Sequence, residues 1–199
     1  MTIEEIKHIP FHFVCSAAWE HEHTMTYESE DGRLGFCEHI NIPASLTDCG
    51  SDIFHSAGLE SVEIEEGLTQ ISTAMFFSCN LTEVNIPSSV THIEPSAFCQ
   101  NKELVKVTMH QGTELVDDYA FAYTALTDIT IPSSVTRIYE DAFVGTLTLH
   151  TVRFEGDAPE NFAEHSTEGH QFPHYTVYYH EGATGFTSPE WNGYTTKTW

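Results

Sequence analysis

The stretch that decides the fold is LTEVNIPSSVT at residues 81–91, which returns as LTDITIPSSVT at residues 126–136. A more divergent copy begins at Leu104, and further copies begin near residues 37, 59 and 149. The spacing of about 22 residues is typical of units that stack head to tail into a solenoid. The sequence therefore predicts one stack of similar coils.

The aligned copies share apolar residues at fixed positions. Val84 and Ile86 lie two residues apart, which is the period of a strand with one buried face. Because one unit cannot bury these residues alone, we expect neighbouring units to cover them, with the phenylalanines stacked as an aromatic spine. The columns are Cys37, Leu59, Leu81, Leu104, Leu126, Leu149; Ile40, Val62, Val84, Val107, Ile129, Val152; Ile42, Ile64, Ile86, Met109, Ile131, Phe154; and Phe54, Phe76, Phe98, Phe121, Phe143.

Each strand is expected to end in a turn. Pro87 and Pro132 follow two of the strands, and proline lacks the N–H that a continuing ladder needs. The two serines after each proline then favour a reversal of the chain. The segments that end at the spine phenylalanines, residues 96–98, 119–121 and 141–143, are predicted to form short turns or single helical turns.

The pattern L-x-x-V-x-I-P-S-S-V-x-x-I-x-x-x-A-F resembles the BspA-like branch of leucine-rich repeats. Residues 81–103 and 126–148 match it closely, and residues 37–58, 59–80 and 104–125 match with substitutions. The resemblance implies a short right-handed leucine-rich-repeat solenoid of the horseshoe type, mostly β with short helical or 3₁₀ turns. It also implies a bacterial protein of the cell surface or a secreted protein.

A solenoid exposes its core at both ends, so we predict a cap at each. Residues 1–36 are the predicted N-terminal cap, residues 37–155 the repeats and residues 156–199 the C-terminal cap. Residues 175–179 are predicted to form a last strand. Four aromatic residues are expected to cover the final coil, or alternatively to form a stacking platform for a ligand: Phe186, Trp191, Tyr194 and Trp199.

The chain is strongly acidic, with 30 Asp and Glu against 7 Lys and Arg and a formal net charge of −23. This charge repels phosphate chains and anionic lipids, so nucleic-acid binding is not expected, and it favours a basic protein or cations. The alternative is that the charge only keeps a repetitive sheet soluble. No apolar run is long enough to span a membrane. Residues 1–7 show no secretory signal, which favours the cytoplasm, whereas the resemblance implies the surface.

The five cysteines include no C-x-x-C pair. Cys79 and Cys99 lie in successive units at different offsets, and free thiols are favoured there over a bridge, which stays open as an alternative.

Histidines provide weak candidates for a metal site. His21 and His23 would face the same way on a strand, and His170 and His174 lie in a predicted loop. Neither pair has a third ligand fixed by spacing, so we expect no metal and no cofactor.

No residue pattern points to catalysis. The carboxylate pairs Glu65-Glu66 and Asp117-Asp118 fall in predicted turns or at exposed strand ends, where a general acid or base would lack a shaped cleft. Nucleophile, phosphate-loop and dinucleotide motifs are absent from the sequence. We therefore predict that the chain is not an enzyme.

The outward residues of the predicted sheet are the best candidate functional surface. Extended solenoid faces bind other molecules, so we predict a non-catalytic protein-interaction or adhesion module with a protein partner. The outward rows are His39, Ser61, Glu83, Lys106, Asp128, Thr151 and Asn41, Glu63, Asn85, Thr108, Thr130, Arg153. The predicted contacts within them are Glu83, Asn85, Lys106, Thr108, Asp128 and Thr130.

Two alternatives stay open. One is a ligand-binding, metal-binding or enzymatic role of the C-terminal region, through His170, His174, Tyr179 or Trp191. The other is a self-assembling structural module that pairs through an open strand edge or open end. The sequence does not decide the oligomeric state.

Overall fold

The computed structural model describes residues 26–28, 34–36, 39–44, 50–139, 141–162 and 174–199. These residues form a β-solenoid of about six coils. They contain no helix, and so no helix among them could cross a membrane.

The strands are short because each coil turns after a few residues. In chain order they are β1 (Thr26–Glu28), β2 (Leu34–Phe36), β3 (His39–Ile42), β4 (Ser61–Ile64), β5 (Gln70–Ile71), β6 (Glu83–Ile86), β7 (His92–Ile93), β8 (Lys106–Met109), β9 (Leu115–Val116), β10 (Asp128–Ile131), β11 (Arg137–Ile138), β12 (Thr151–Phe154), β13 (Thr176–Tyr179), β14 (Glu190–Trp191) and β15 (Tyr194–Thr198).

Two parallel ladders run along the stack. The longer strands form one side, with the orders β3-β4, β6-β8 and β10-β12-β13-β15, and the short strands form the other, with the order β11-β9-β7-β5. Equivalent positions of successive units lie opposite each other, as Ile129 lies opposite Val152 and Ile131 opposite Phe154. The predicted leucine-rich-repeat solenoid is confirmed by this register.

The core is the predicted set of columns. Leu81, Leu104 and Leu126 are fully buried, and the inward residues of the long strands β3, β6, β8, β10 and β12 pack beside them. In β4, Ile64 is buried and Val62 is partly buried, and Cys37 lies outside the described residues. The spine is also confirmed: successive rings of Phe54, Phe76, Phe98, Phe121 and Phe143 stack at centroid separations of 5.5, 5.4, 5.5 and 5.9 Å.

The segments around the spine consist of successive non-helical turns. Phe98 N–H donates to the Ala120 carbonyl of the next coil at 2.9 Å, while Ala97 N–H donates back to Glu94 at 3.2 Å. Ser96 has a φ of 60°, a left-handed conformation that costs a non-glycine residue about 1–2 kcal/mol. The bonds between coils offset this cost, which explains why the chain follows a ribbon of turns here.

The ladder continues beyond the predicted last strand. β13 falls close to the predicted range 175–179, but β15 pairs with it in parallel, with Val177 opposite Thr196 and Tyr179 opposite Thr198. β14 then pairs antiparallel with the start of β15. The boundaries of the two caps at residues 36 and 156 stay predictions.

Aromatic side chains close over Phe154, the last residue of its column. Its ring contacts Phe162, Phe186 and Trp191, whose centroids lie 5.6, 5.3 and 6.0 Å away. Trp199 differs from this expectation, because 51% of its surface is exposed. It therefore does not help to cover the core.

Candidate functional site on the strand face

The outward side chains of β3, β4, β6, β8, β10, β12, β13 and β15 are here called the strand face. Glu83 lies opposite Lys106, and Asn85 opposite Thr108, in the register of β6 with β8. β10 lies beside β8 and brings Asp128 and Thr130 next to them. The structure thus places the six predicted contact residues on three neighbouring strands, all exposed or half-buried.

Charges of opposite sign alternate along this face. Lys106 Nζ lies 3.7 Å from Glu83 Oε2, and Arg153 Nη1 lies 3.6 Å from Asp128 Oδ1. Each pair is exposed, so it contributes only about 0–1 kcal/mol to stability. These side chains are therefore free to exchange their present partners for those of a bound molecule at little cost.

A depression of about 320 Å³ lies between β8 and β10. Among the described residues these two strands belong to separate ladders, and the core is correspondingly less well covered. Val107 and Met109 are 7% and 9% exposed, whereas Ile129 is 1% exposed. The depression has an apolar floor and a polar rim, and it is lined by Val105, Lys106, Val107, Thr108, Met109, Asp128, Ile129, Thr130 and Glu155.

The carboxylates of Glu65 and Glu66 hold the turns of neighbouring coils. Glu66 accepts hydrogen bonds from the N–H groups of Ser88 and Ser89 at 3.1 and 2.9 Å, and from the Ser88 hydroxyl at 3.0 Å. The Ser88 N–H is the main reason why the pKa of Glu66 is lowered. Glu65 accepts from the Asn41 amide at 2.9 Å, which is the main cause of its own lowered pKa. These acids are structural acceptors in the fold.

Gln111 has the equivalent role in a later pair of coils. Its Oε1 accepts from the Ser133 hydroxyl at 3.1 Å and the Ser134 N–H at 3.2 Å, and its Nε2 donates to Glu155 at 3.0 Å. A Cβ on Gly112 would lie 2.0 Å from the Ser88 carbonyl oxygen, so only glycine permits this approach. Proline turns and glycine turns therefore alternate along the stack.

This alternation was not predicted from the sequence. Its signal was the equivalent position of Gly67, whose Cβ would lie 2.2 Å from the Ala44 carbonyl oxygen. Glu66 and Gln111 bridge the pairs of coils between which the ladder of long strands is interrupted, β4 to β6 and β8 to β10. Side chains thus join the coils on the side of the stack where the long strands do not pair.

Cys79 and Cys99 are free and buried, so no bridge joins them. Burial raises the pKa of each thiol to about 11. Cys79 Sγ donates to the Phe54 carbonyl at 3.1 Å within the main core, whereas Cys99 packs in a separate small cluster. Both behave as small apolar residues with an unreactive thiol.

The C-terminal candidates separate into buried and exposed groups. Tyr179 and Trp191 are buried, with their rings stacked on Phe186 at 4.7 Å and on Phe162 at 5.0 Å, so they belong to the aromatic cover. His174 is exposed just before β13. Within the segments that the structure describes, no three His, Cys, Asp or Glu side chains form a metal-ligand set. The remaining candidates, His21, His23 and His170, lie outside the described residues.

Comparison with known proteins yields one family and several solved structures. The model of the BspA type leucine rich repeat region matches residues 35–150 in 6 copies, which is more than half of the chain. The structure of the pneumococcal vaccine antigen PcpA has a TM-score of 0.59 and 22% identity, over 79% of this chain and 49% of that one. This likeness shows the fold. No curated protein matches the chain.

Two weaker likenesses accompany it. A leucine rich cell surface protein from Faecalibacterium prausnitzii has a TM-score of 0.39 and 22% identity, over 69% of this chain and 54% of that one. A leucine-rich repeat protein from Bacteroides ovatus has a TM-score of 0.29 and 17% identity, over 71% and 55%. This chain spans about half the length of the solved structures that it matches.

Proposed function

This chain belongs to the BspA type leucine-rich repeat family, and from that premise we propose that it is a non-catalytic protein-interaction or adhesion module. The proposed contacts are the six residues of the strand face, Glu83, Asn85, Lys106, Thr108, Asp128 and Thr130. The observation that carries the proposal is the depression between β8 and β10, because four of these six residues line it.

The depression combines the two features that protein interfaces need. Val107 and Met109 form an apolar floor in which a side chain of the partner would be desolvated, and Val105 at the rim adds an exposed apolar surface. Lys106 and Asp128 place opposite charges at the rim. Apolar contact with the floor and with Val105 would contribute to the affinity, and the charges at the rim would select the partner.

A basic protein is the partner that the charge favours. The net charge of −23 produces a field that attracts basic molecules, and this attraction is screened beyond about 8 Å at physiological salt. We therefore expect the association rate to fall as salt is added, with a smaller effect on dissociation.

The non-catalytic character that we propose is supported by Glu65 and Glu66. Their carboxylates accept hydrogen bonds from neighbouring turns, and the lowered pKa of each keeps it ionised. A general acid needs the opposite shift. These groups are thus suited to holding coils together.

Charge reversal tests the proposed face. A partner isolated from the native host would be titrated with the Glu83→Lys, Asp128→Lys and Glu114→Lys variants, the last being a matched control outside the strand face. We expect each face variant to lose about tenfold in affinity, with a Tm close to that of the wild type, because exposed pairs contribute little to stability. Unchanged affinity in both face variants, or an equal loss in Glu114→Lys, would refute this face.

The location is a separate proposal. The family resemblance implies a protein of the bacterial cell surface, and an acidic, soluble face is compatible with that position. Labelling intact host cells with a membrane-impermeant reagent tests it, and protection of the protein until lysis would contradict it.

A further inference from the structure

The strand face changes character towards its C-terminal end. β12, β13 and β15 contain no Asp or Glu, and their outward positions include Arg153 and Lys197. The whole chain has only 7 Lys and Arg against 30 acidic residues, so this clustering of two cations is unusual for its surface.

Arg153 and Lys197 flank one aromatic ring. Arg153, Tyr178 and Lys197 lie in a single row across three adjacent strands, because Arg153 is opposite Tyr178 and Tyr178 is opposite Lys197. Arg153 Cζ lies 5.8 Å from the centroid of the Tyr178 ring, and Lys197 Nζ lies 5.9 Å from it. The ring attracts both cations and so keeps each long side chain beside it.

An exposed aromatic pair lies in the next row. His180 and Trp199 follow Tyr178 and Lys197 by two residues, so they project from the same side of the sheet. Their rings stack at 4.1 Å, and 51% of Trp199 is exposed. Because the aromatic cover of the core does not include this pair, core burial does not explain its presence.

We propose that these five residues, the basic–aromatic patch (Arg153, Tyr178, His180, Lys197 and Trp199), bind an acidic sugar. One of the two cations would hold its carboxylate, the other would donate to a sugar hydroxyl group, and the exposed indole of Trp199 would pack against the C–H face of a pyranose ring. Thr151 and Thr176 lie in the adjoining row and offer hydroxyl groups to the sugar. This site is distinct from the depression between β8 and β10 and does not depend on the function proposed there.

Charge selects a ligand with an isolated acid group. Asp128 is paired with Arg153 at 3.6 Å, and Glu155 lies in the same row as His180 and Trp199, where Gln111 binds it. These carboxylates, together with the charge of the whole chain, repel a continuous polyanion. A largely neutral oligosaccharide with one carboxylate avoids most of this repulsion.

On β12 and β13, hydrogen bonding favours a sugar over an acidic peptide. The main-chain groups of β12 and β13 are already used in the parallel ladder on both sides. A peptide lying on this face would therefore gain no main-chain bonds from these strands. Proteins recognise a sugar through hydroxyl groups, charged hydrogen-bond donors and an aromatic plane. The adjoining threonines supply the hydroxyl groups, Arg153 and Lys197 the charged donors, and Trp199 the aromatic plane.

Titration with sialyllactose, which carries one carboxylate, tests the proposal, with lactose as the neutral comparison and N-acetyl-Ala-Glu-Ala-amide as the peptide comparison. We expect saturable binding of sialyllactose, followed by NMR or calorimetry, and at least about tenfold weaker binding of the other two. The Arg153→Gln, Lys197→Gln and Trp199→Ala variants should each weaken it by about tenfold. Lys102→Gln and Arg137→Gln, which remove cations elsewhere, should leave it unchanged.

Asp128→Asn should change the affinities for the sugar and for the protein partner in opposite directions. Removing this carboxylate frees Arg153, so sialyllactose should bind about twofold to threefold more tightly, whereas the protein partner proposed above should bind more weakly when Asp128 is altered. Absence of saturable binding, equal binding of the peptide, or equal losses in the control variants would each overturn the inference. If sialyllactose binds as expected but both Glu83→Lys and Asp128→Lys leave the affinity for the protein partner unchanged, only the proposed protein-binding face is refuted.

Discussion

Replacing Phe121 by alanine tests whether the aromatic spine carries the fold. Phe121 is fully buried, and its ring stacks on Phe98 at 5.5 Å and on Phe143 at 5.9 Å. A buried Phe→Ala change costs about 3–5 kcal/mol, and each lost aromatic pair is worth about 0.5–1.5 kcal/mol beyond burial. With a ring on each side, we expect a loss near 4–5 kcal/mol, a large share of the roughly 5–15 kcal/mol of a typical domain.

Urea unfolding followed by far-ultraviolet circular dichroism measures this loss. Phe121→Leu is the matched control, because it keeps most of the apolar volume and removes the stacked ring, and we expect it to cost less than about 2 kcal/mol. Phe54→Ala, at the first ring of the spine, should cost less than Phe121→Ala, because Phe54 keeps 6% exposure and stacks on Phe76 alone among the described spine rings.

Two results would contradict the reasoning. One is a loss of less than about 1 kcal/mol for Phe121→Ala, which would mean that neighbouring coils collapse into the space without penalty. The other is an equal or larger loss for Phe54→Ala, which would show that stacking on two sides adds nothing.

Three further predictions concern turns and thiols. Gly112→Ala should destabilise the fold by about 1–3 kcal/mol more than Gly182→Ala, since both have positive φ but only Gly112 meets a carbonyl oxygen; thermal unfolding compares them, and equal losses would refute the close approach. The pKa of Glu66 is lowered from 4.5 in the folded state, so the stabilisation that its carboxylate contributes is present above pH 4.5 and is lost as the pH falls through the lower, folded pKa. The Tm difference between wild type and E66Q should therefore narrow as the pH is lowered below 4.5, and a constant difference would contradict this. Iodoacetamide at about pH 8 should label Cys79 and Cys99 about 100-fold more slowly in the folded chain than after unfolding, because burial raises each pKa from 9.0 to about 11; rapid labelling in the folded chain would refute their burial.

The register of the core could be predicted because every position in an apolar column needs an apolar side chain that faces inward. Val84, Val107 and Ile129 must all face inward, and a slip of one residue would turn them to solvent. The same alternation of inward and outward residues predicts which side chains lie on the strand face. The pattern does not show that β8 and β10 fall in separate ladders, so the depression between them could not be predicted.

The turns could be predicted only incompletely, because their bonds join residues far apart in sequence. Glu66 accepts a hydrogen bond from Ser88, and Gln111 accepts one from Ser133, each 22 residues away. The sequence around Glu66 or Gln111 therefore does not reveal the partner of its side chain. The left-handed conformation of Ala74, with φ of 51°, likewise contradicts local preference and is stabilised by the next coil. The basic–aromatic patch depends on β15 joining the ladder, which the repeat pattern did not reveal.

Alternating proline and glycine turns constrain how such an array can lengthen or shorten. Deleting one coil would set two like turns side by side: adjacent proline turns would leave serine N–H groups without the side-chain acceptor that Glu66 or Gln111 supplies. Duplication or loss of a doublet, about 45 residues, preserves every such match. The genetic unit of growth in this protein would then be the pair of coils, and engineered variants should gain or lose coils in even numbers.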